Sequence, residues 1–312
     1  MPENPAPGEH PNTDRDEVHD IYRSWRAIAD EYDGTRVLVG EVWMPDAQRF
    51  ANYLRPDEMH TAFNFDFMAR AWDPSELRAS IDSMLAAHEP VGAPSTWVLS
   101  NHDVTRPVTR YGRADSSFAF ATKRFGTPTD LDLGTRRARA AALLTAALPG
   151  SLYIYQGDEL GLPEVEDLPV RHDPMHFRSN GVDPGRDGCR VPLPWSGTVS
   201  PFGFGGEPWL PQPAEWAHLT VEAQAADPRS MLSLYREALR IRRSDLTSED
   251  LAWLPSDDGV LAFTRGADFT CVTNLTGDAV ALPDGELLLS SLPLDNGRLP
   301  TDSTAWLRTE PV

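Results

Sequence analysis

Four short apolar runs, each followed by a segment with helical spacing, constrain this chain more than any other feature of its sequence. They are Arg36-Val37-Leu38-Val39-Gly40-Glu41-Val42-Trp43, residues 61–65, Thr96-Trp97-Val98-Leu99-Ser100 and Ser151-Leu152-Tyr153-Ile154-Tyr155. Continuous runs rich in β-branched and aromatic residues suit strands covered on both faces. Helices are predicted over residues 45–54, 74–88 and 136–148, the last Ala-rich and suited to close packing. A Pro- and Asn-rich tail over 1–13 leads into an amphipathic helix over 14–32 that carries Val18, Ile21, Tyr22, Trp25, Ile28 and Ala29 at 3–4 spacing. Strand alternating with helix is the pattern of a parallel sheet clothed in helices. Four units do not close an eight-stranded barrel, which takes roughly 200 residues or more. With residues 14–243 spent on four units and a long excursion, the expectation is a chain that begins in mid-domain.

The excursion runs from 157 to about 227 and is irregular, in keeping with 22 Gly and 28 Pro in the 312 residues. Helical spacing resumes over 230–243. From Leu251 the texture changes to short strands, such as Val260-Leu261-Ala262-Phe263 and Thr270-Cys271-Val272-Thr273, punctuated by Asp257-Asp258-Gly259, Gly277-Asp278 and Pro283-Asp284-Gly285. That reads as a small antiparallel β domain over 251–312.

Charge and cysteine usage exclude several function classes. With 28 Lys+Arg against 47 Asp+Glu the net charge is −19, which repels a phosphate backbone and argues against a nucleic-acid partner. No run of about 18 apolar residues offers a membrane span. The start, Met1-Pro2-Glu3-Asn4-Pro5, has no basic region and no apolar region of a leader, so the chain is expected in the cytoplasm. Cys189 and Cys271 stand far apart with no CxxC; both read as reduced thiols, and neither a metal nor another cofactor is expected. No Gly-rich phosphate loop, HExxH or GxSxG occurs.

Glu41 and Asp103 each follow an apolar strand, where active sites of parallel α/β folds lie. Two carboxylates at one sheet edge could share a glycosidic centre, one as proton donor and the other as a charged stabiliser. On texture alone a Glu closing a strand is more often a loop or cap residue, and His102 at a strand end more often a hydrogen-bonding one. Arg106 and Arg110 could clamp a hydroxyl or carboxylate, but arginines are mostly solvated.

A resemblance changes this balance. Gly40-Glu41-Val42-Trp43, then Ser100-Asn101-His102-Asp103-Val104-Thr105-Arg106, then Tyr155-Gln156-Gly157-Asp158-Glu159-Leu160-Gly161 resemble glycoside hydrolase family 13, the alpha-amylase superfamily. Arg186-Asp187-Gly188-Cys189-Arg190-Val191-Pro192-Leu193-Pro194-Trp195 and Pro208-Trp209-Leu210-Pro211 are similar to its bacterial α-glucosidase and oligo-1,6-glucosidase branch. Several motifs in the right order make an accident improbable.

The resemblance implies α/β architecture: the C-terminal half of a (β/α)8 TIM barrel, strands 5–8, over residues 1–250, followed by the β domain over 251–312. Strand 5 would end at Glu41, strand 6 would hold Phe63-Asn64-Phe65-Asp66, strand 7 would end at Asp103, and strand 8 would be Leu152-Tyr153-Ile154-Tyr155. It implies Glu41 as general acid/base, Asp103 as transition-state stabiliser, and His102 and Arg106 as binders of substrate hydroxyls. Members carry their nucleophilic Asp on strand 4, and nothing before Glu41 matches that pattern. The expected function is therefore that of a C-terminal fragment of a retaining α-glucosidase acting on short oligosaccharides, incomplete and inactive alone, with a missing N-terminal half as its partner. The alternative is a non-catalytic carbohydrate-binding or subunit-like remnant.

Overall fold

The computed structural model describes residues 12–119 and 123–309; most of the predicted tail lies outside them. The first part of the chain runs α1 (Val18–Asp30), β1 (Val39–Gly40), α2 (Ala47–Asn52), β2 (Thr61–Ala62), α3 (Phe65–Ala69), α4 (Pro74–His88), β3 (Thr96–Val98), α5 (Pro107–Tyr111), α6 (Leu131–Ala147) and β4 (Ser151–Tyr153). The excursion holds α7 (Pro174–Arg178), α8 (Val221–Ala225) and several single helical turns, and α9 (Met231–Asp245) closes it. Then follow β5 (Leu251–Trp253), β6 (Val260–Arg265), β7 (Phe269–Asn274), β8 (Glu286–Ser290) and β9 (Ser303–Arg308).

The four apolar runs do become parallel strands, but they are short and pair two by two. Val39 lies opposite Thr61 in the β1–β2 ladder, and Thr96, Trp97 and Val98 lie opposite Ser151, Leu152 and Tyr153 in the β3–β4 ladder. A hydrogen bond of 2.9 Å between the Thr61 and Thr96 hydroxyls joins the two pairs across their junction. The run 36–43 was expected to be buried throughout, yet Val37 and Val39 are exposed. Val37 and Val39 share one face of the strand and lie exposed, while Leu38 and Val42 on the other face pack against the main core. The strand expected over 61–65 stops at Ala62 because Asn64 caps a helix: its side chain accepts from the Asp66 and Phe67 amides, and Phe65 and Asp66 become the first residues of α3.

Local capping explains other boundaries. Asp73 accepts from the Ser75 and Glu76 amides ahead of Pro74, which fixes the start of α4. Asp130 caps α6 so that it begins at Leu131, five residues before the predicted start, and Ser230 caps α9. Asp14 does not enter α1: its backbone is left-handed, and its carboxylate is held by Arg49 and the Tyr53 hydroxyl.

β5 to β9 form one antiparallel sheet in the order β5-β6-β7-β9-β8. Its side chains alternate with the pleat. Phe263, Cys271 and Trp306 join the main core beside Leu143 and Leu144 of α6 and Leu234 and Ile241 of α9, while Ala262, Val272, Ala305 and Leu307 form a separate cluster on the other face. The sheet and the parallel strands thus share a core, pinned where the Thr304 hydroxyl and the Trp306 indole donate to the Ala140 and Leu143 carbonyls. The excursion has a core of its own around Leu160, Val191, Phe202, Leu210 and Trp216. Among the described residues no helix is long and apolar enough to cross a membrane, and both cysteines are free and buried.

Candidate active site

Glu41 leaves the end of β1 directly after Gly40. A side chain at Gly40 would press on the Met59 sulfur at 2.6 Å and on Ala62, so the close β1–β2 approach that aims Glu41 outward needs glycine there. Glu41 is exposed at the mouth of the fold, and its Oε1 accepts a hydrogen bond of 3.3 Å from the Trp43 indole. Trp43 stacks on Phe65 at 3.9 Å. Phe65 lies against Phe63, and Phe63 meets Tyr153 of β4 edge-on, so an aromatic floor runs beneath the strand ends. A hollow of about 530 Å³ opens beside Glu41 and Trp43, bordered on its far side by Asp14, Ile21 and Tyr53.

Asp103 lies five residues beyond the end of β3, in a turn where the Asn101 side chain accepts its amide at 2.8 Å. Its two carboxylate oxygens are used differently. Oδ1 accepts from Arg190 Nη2 at 2.7 Å and Arg186 Nη1 at 3.1 Å and lies 3.4 Å from His102 Nε2. Oδ2 has no hydrogen-bond partner among the described residues. The single helical turn Asp187–Cys189 sets the two arginines on either side of itself. Arg190 is anchored further by its Nε on the His102 carbonyl at 2.7 Å. Arg186 is anchored by Asp173, which takes its Nε at 2.6 Å and Nη2 at 3.0 Å. Burial alone would raise the Asp173 carboxyl, but the Arg186 hydrogen bonds and charge outweigh it and hold Asp173 well below the usual carboxylate range. His102 itself stays largely exposed.

Arg106 and Arg110, expected as solvated or substrate-facing arginines, are instead buried. Arg106 donates Nη1 to the Gln156 carbonyl and Nη2 to the Cys189 carbonyl, at 2.9 and 2.8 Å. Arg110 donates Nη2 to Leu99 at 3.0 Å and Nη1 to Ser116. Both tie the loop after β3 to its neighbours, and Arg106 spends both Nη groups on backbone carbonyls. Gly157, with φ of 95°, permits the approach, because a Cβ there would strike Arg106 Nη1. Around Arg106 burial lifts two carboxyls, Asp158 to about 6 and Glu164 to about 7, against the opposing charge of Arg106.

The structure therefore gathers His102 and Asp103 with Asp173, Arg186 and Arg190, and presents Glu41 with Trp43 at the end of another parallel strand. Arg186 and Arg190 had no role read from the sequence. The signal available was the stretch Arg186–Trp195, which the resemblance to the α-glucosidase branch already marked without giving either arginine a role. Among the described residues no three His, Cys, Asp or Glu side chains converge as a metal site would require.

One carboxylate directly after a parallel strand and a second in the turn beyond another, the second braced from the excursion that follows β4, stand in a chain that matches a known family. The model of the alpha-amylase catalytic domain covers residues 1–250. The chain belongs to the alpha-amylase family. Its fold is the family's barrel framework with an appended β domain. It is similar to a probable alpha-glucosidase of Rhizobium meliloti (strain 1021), at 29% identity over 85% of this chain and 46% of that protein. It is also similar to the oligo-1,6-glucosidase of Parageobacillus thermoglucosidasius, at 24% over 89% of this chain and 54% of that one. The chain spans about half the length of the curated relatives it matches. Among solved structures, the alpha-glucosyl transfer enzyme XgtA matches with a TM-score of 0.73 and 27% identity, over 94% of this chain and 55% of that one. A MutB mutant in complex with its substrate sucrose matches with a TM-score of 0.74 and 21% identity, over 94% and 59%, a likeness of fold alone.

Proposed function

We propose that this chain carries the acid/base and stabilising half of a retaining α-glucosidase that removes terminal α-linked glucose from short oligosaccharides. The observation that carries the reading is the arrangement of Asp103: Oδ1 fixed by two arginines, Oδ2 free, at the strand end where an α-amylase family stabiliser would stand. In this role Oδ2 grips hydroxyls of the sugar as its ring flattens, His102 adds a second contact, and Glu41 protonates the departing glycosidic oxygen. A retaining mechanism also needs a nucleophilic carboxylate about 5–5.5 Å from the acid/base. That group would come from an N-terminal β/α half, corresponding to strands 1–4 of the barrel, seated on α1 and the open edge of β1. There Ile21, Trp25, Ile28, Tyr32, Val37 and Val39 form an exposed apolar face. Covering it would also exclude water from the surroundings of Glu41, where the glycosidic oxygen departs.

The test is hydrolysis of p-nitrophenyl α-glucoside by the chain alone and with a candidate N-terminal half. The chain alone should be inactive. The pair should turn over, and Glu41→Gln should cut kcat by roughly 10²–10⁴-fold with little change in KM. Turnover by the chain alone that is abolished by Glu41→Gln would overturn the need for a second half. A paired enzyme indifferent to Glu41→Gln would remove Glu41 from its role.

A further inference from the structure

A second cleft, of about 770 Å³, lies where α6 meets the end of β8 and the segment that leads into α9. It is remote in sequence from both Glu41 and Asp103, and none of the groups assigned above lines it. Its polar lining has the opposite sign to the chain as a whole. Arg139, Arg229 and His218 border it against one carboxylate, Asp227, in a protein of net charge −19. Leu287, Leu292, Leu294 and Pro228 supply apolar walls.

Arg139 is the group that needs explaining. It projects from the middle of α6 and is half-buried, and burial pushes its guanidinium below the ordinary arginine value, with Asp227 pulling the other way. Its Nε donates to the Ser291 carbonyl at 2.7 Å, but neither Nη has a partner among the described residues. Arg242 and Arg265, at the far end of α6, are committed by contrast. Arg242 donates to the Ala146, Leu148 and Gly150 carbonyls, and Arg265 to the Ala147, Leu148 and Ser248 carbonyls. A half-buried guanidinium that lines a cleft with both Nη groups uncommitted is matched in geometry to a carboxylate or phosphate, which takes both Nη groups at once. Pinning one Ser291 carbonyl would not by itself require a fixed charge and two spare donors.

We propose that this cleft binds a compact oxyanion-bearing small molecule, its carboxylate or phosphate held bidentately by Arg139 and its body lying on the leucine walls. Arg229 stands at the rim and adds positive potential, and His218 offers a further hydrogen-bonding group there. Because one wall is α6 and the other is the antiparallel sheet, such a ligand would clamp the two together and raise the stability of the whole chain by mass action.

The test is thermal unfolding and calorimetric titration of the full chain with inorganic phosphate, glucose 6-phosphate and citrate, one at a time. Saturable binding is expected, with a rise in melting temperature. Phosphate and glucose 6-phosphate binding without citrate would assign a phosphorylated ligand, and the reverse a carboxylate. Thr135→Glu places a carboxylate one turn before Arg139 on the same face of α6, where it can occupy the fork, while the Arg139 bond to Ser291 is untouched. It should weaken binding at least about tenfold, whereas Thr135→Gln should not. Arg139→Lys, which keeps the charge and loses the fork, should weaken it as well. No saturable binding of any of the three probes up to ~10 mM, or binding indifferent to Thr135→Glu and Arg139→Lys, would overturn the proposal.

Discussion

Asp158 lies inside the fold with one hydroxyl as its side-chain partner, and its ionisation should write a slope into the stability of the protein against pH. The Ser100 hydroxyl reaches Oδ1 and Oδ2 at 2.7 and 2.8 Å. Burial lifts the carboxyl from 3.8 to about 6, against the pull of Ser100 and the charge of Arg106. Arg106 acts on it through charge, its Nη groups going to the Gln156 and Cys189 carbonyls. With the folded value above the unfolded one, the native chain holds this proton more tightly than the unfolded chain does. Stability from the group is therefore full below about pH 4, declines as pH rises, and is lost above about pH 6. The difference comes to roughly 2–3 kcal/mol. Asp158→Asn keeps an acceptor for Ser100 and cannot ionise. In urea titrations across this range the wild-type chain should lose about 2–3 kcal/mol more than the variant does. Above the window the variant should be the more stable of the two by that amount. Other groups titrate in both proteins alike, so the difference between the two curves is the readout. Parallel curves, or an Asn variant that is less stable at neutral pH, would refute the reasoning.

Two further substitutions probe the framework that carries the site. Arg265→Met removes the donor to the Ala147 carbonyl and the principal donor to Ser248, while Arg242 still serves Leu148. Two orphaned carbonyls, partly offset by release of a guanidinium that burial holds down at about 10, should cost roughly 2–4 kcal/mol in a denaturant midpoint; a loss below about 1 kcal/mol would show that water or Arg242 replaces the lost donor. Gly157→Ala forces a side chain onto a φ of 95° and against Arg106. It should cost about 1–3 kcal/mol and loosen the loop after β3, seen as faster amide exchange at Val104 and Thr105; unchanged exchange would mean that Arg106 is not what holds the loop.

How much was legible in the sequence depended on whether the determining contacts were local. The helix predicted over 74–88 forms over Pro74–His88 because its start is written in Asp73 and Pro74, adjacent residues with a fixed capping geometry. The turns Asp257-Asp258-Gly259 and Gly277-Asp278 marked the antiparallel sheet equally well. The run 36–43 misled because hydrophobicity reports what a segment wants to bury, whereas a ladder needs a neighbour on each side; only Val39 and Gly40 have one. The helix α5 was missed although Pro107 stands at its first turn, since five residues carry too little periodicity to register.

The positions of Glu41 and Asp103 were legible because motif and strand end coincide, but the state of Asp103 was not. Its partners lie 83 and 87 residues further along, in a stretch whose spacing suggested only irregular loop. Yet those partners decide what the residue can do. A carboxylate meant to meet developing positive charge works best if it is oriented before the substrate arrives, so that no reorganisation is charged to the transition state. Two arginines on one oxygen achieve that here, since each is itself fixed, Arg186 by Asp173 and Arg190 by the His102 carbonyl. Their positive charge also weakens the field of Asp103 at the sugar. Arg186 spends its fork on Oδ1 and Asp173, and Arg190 reaches Oδ1 through Nη2, which leaves Oδ2 without a hydrogen-bond partner among the described residues. Under the proposed function, Oδ2 is the oxygen left to meet the sugar.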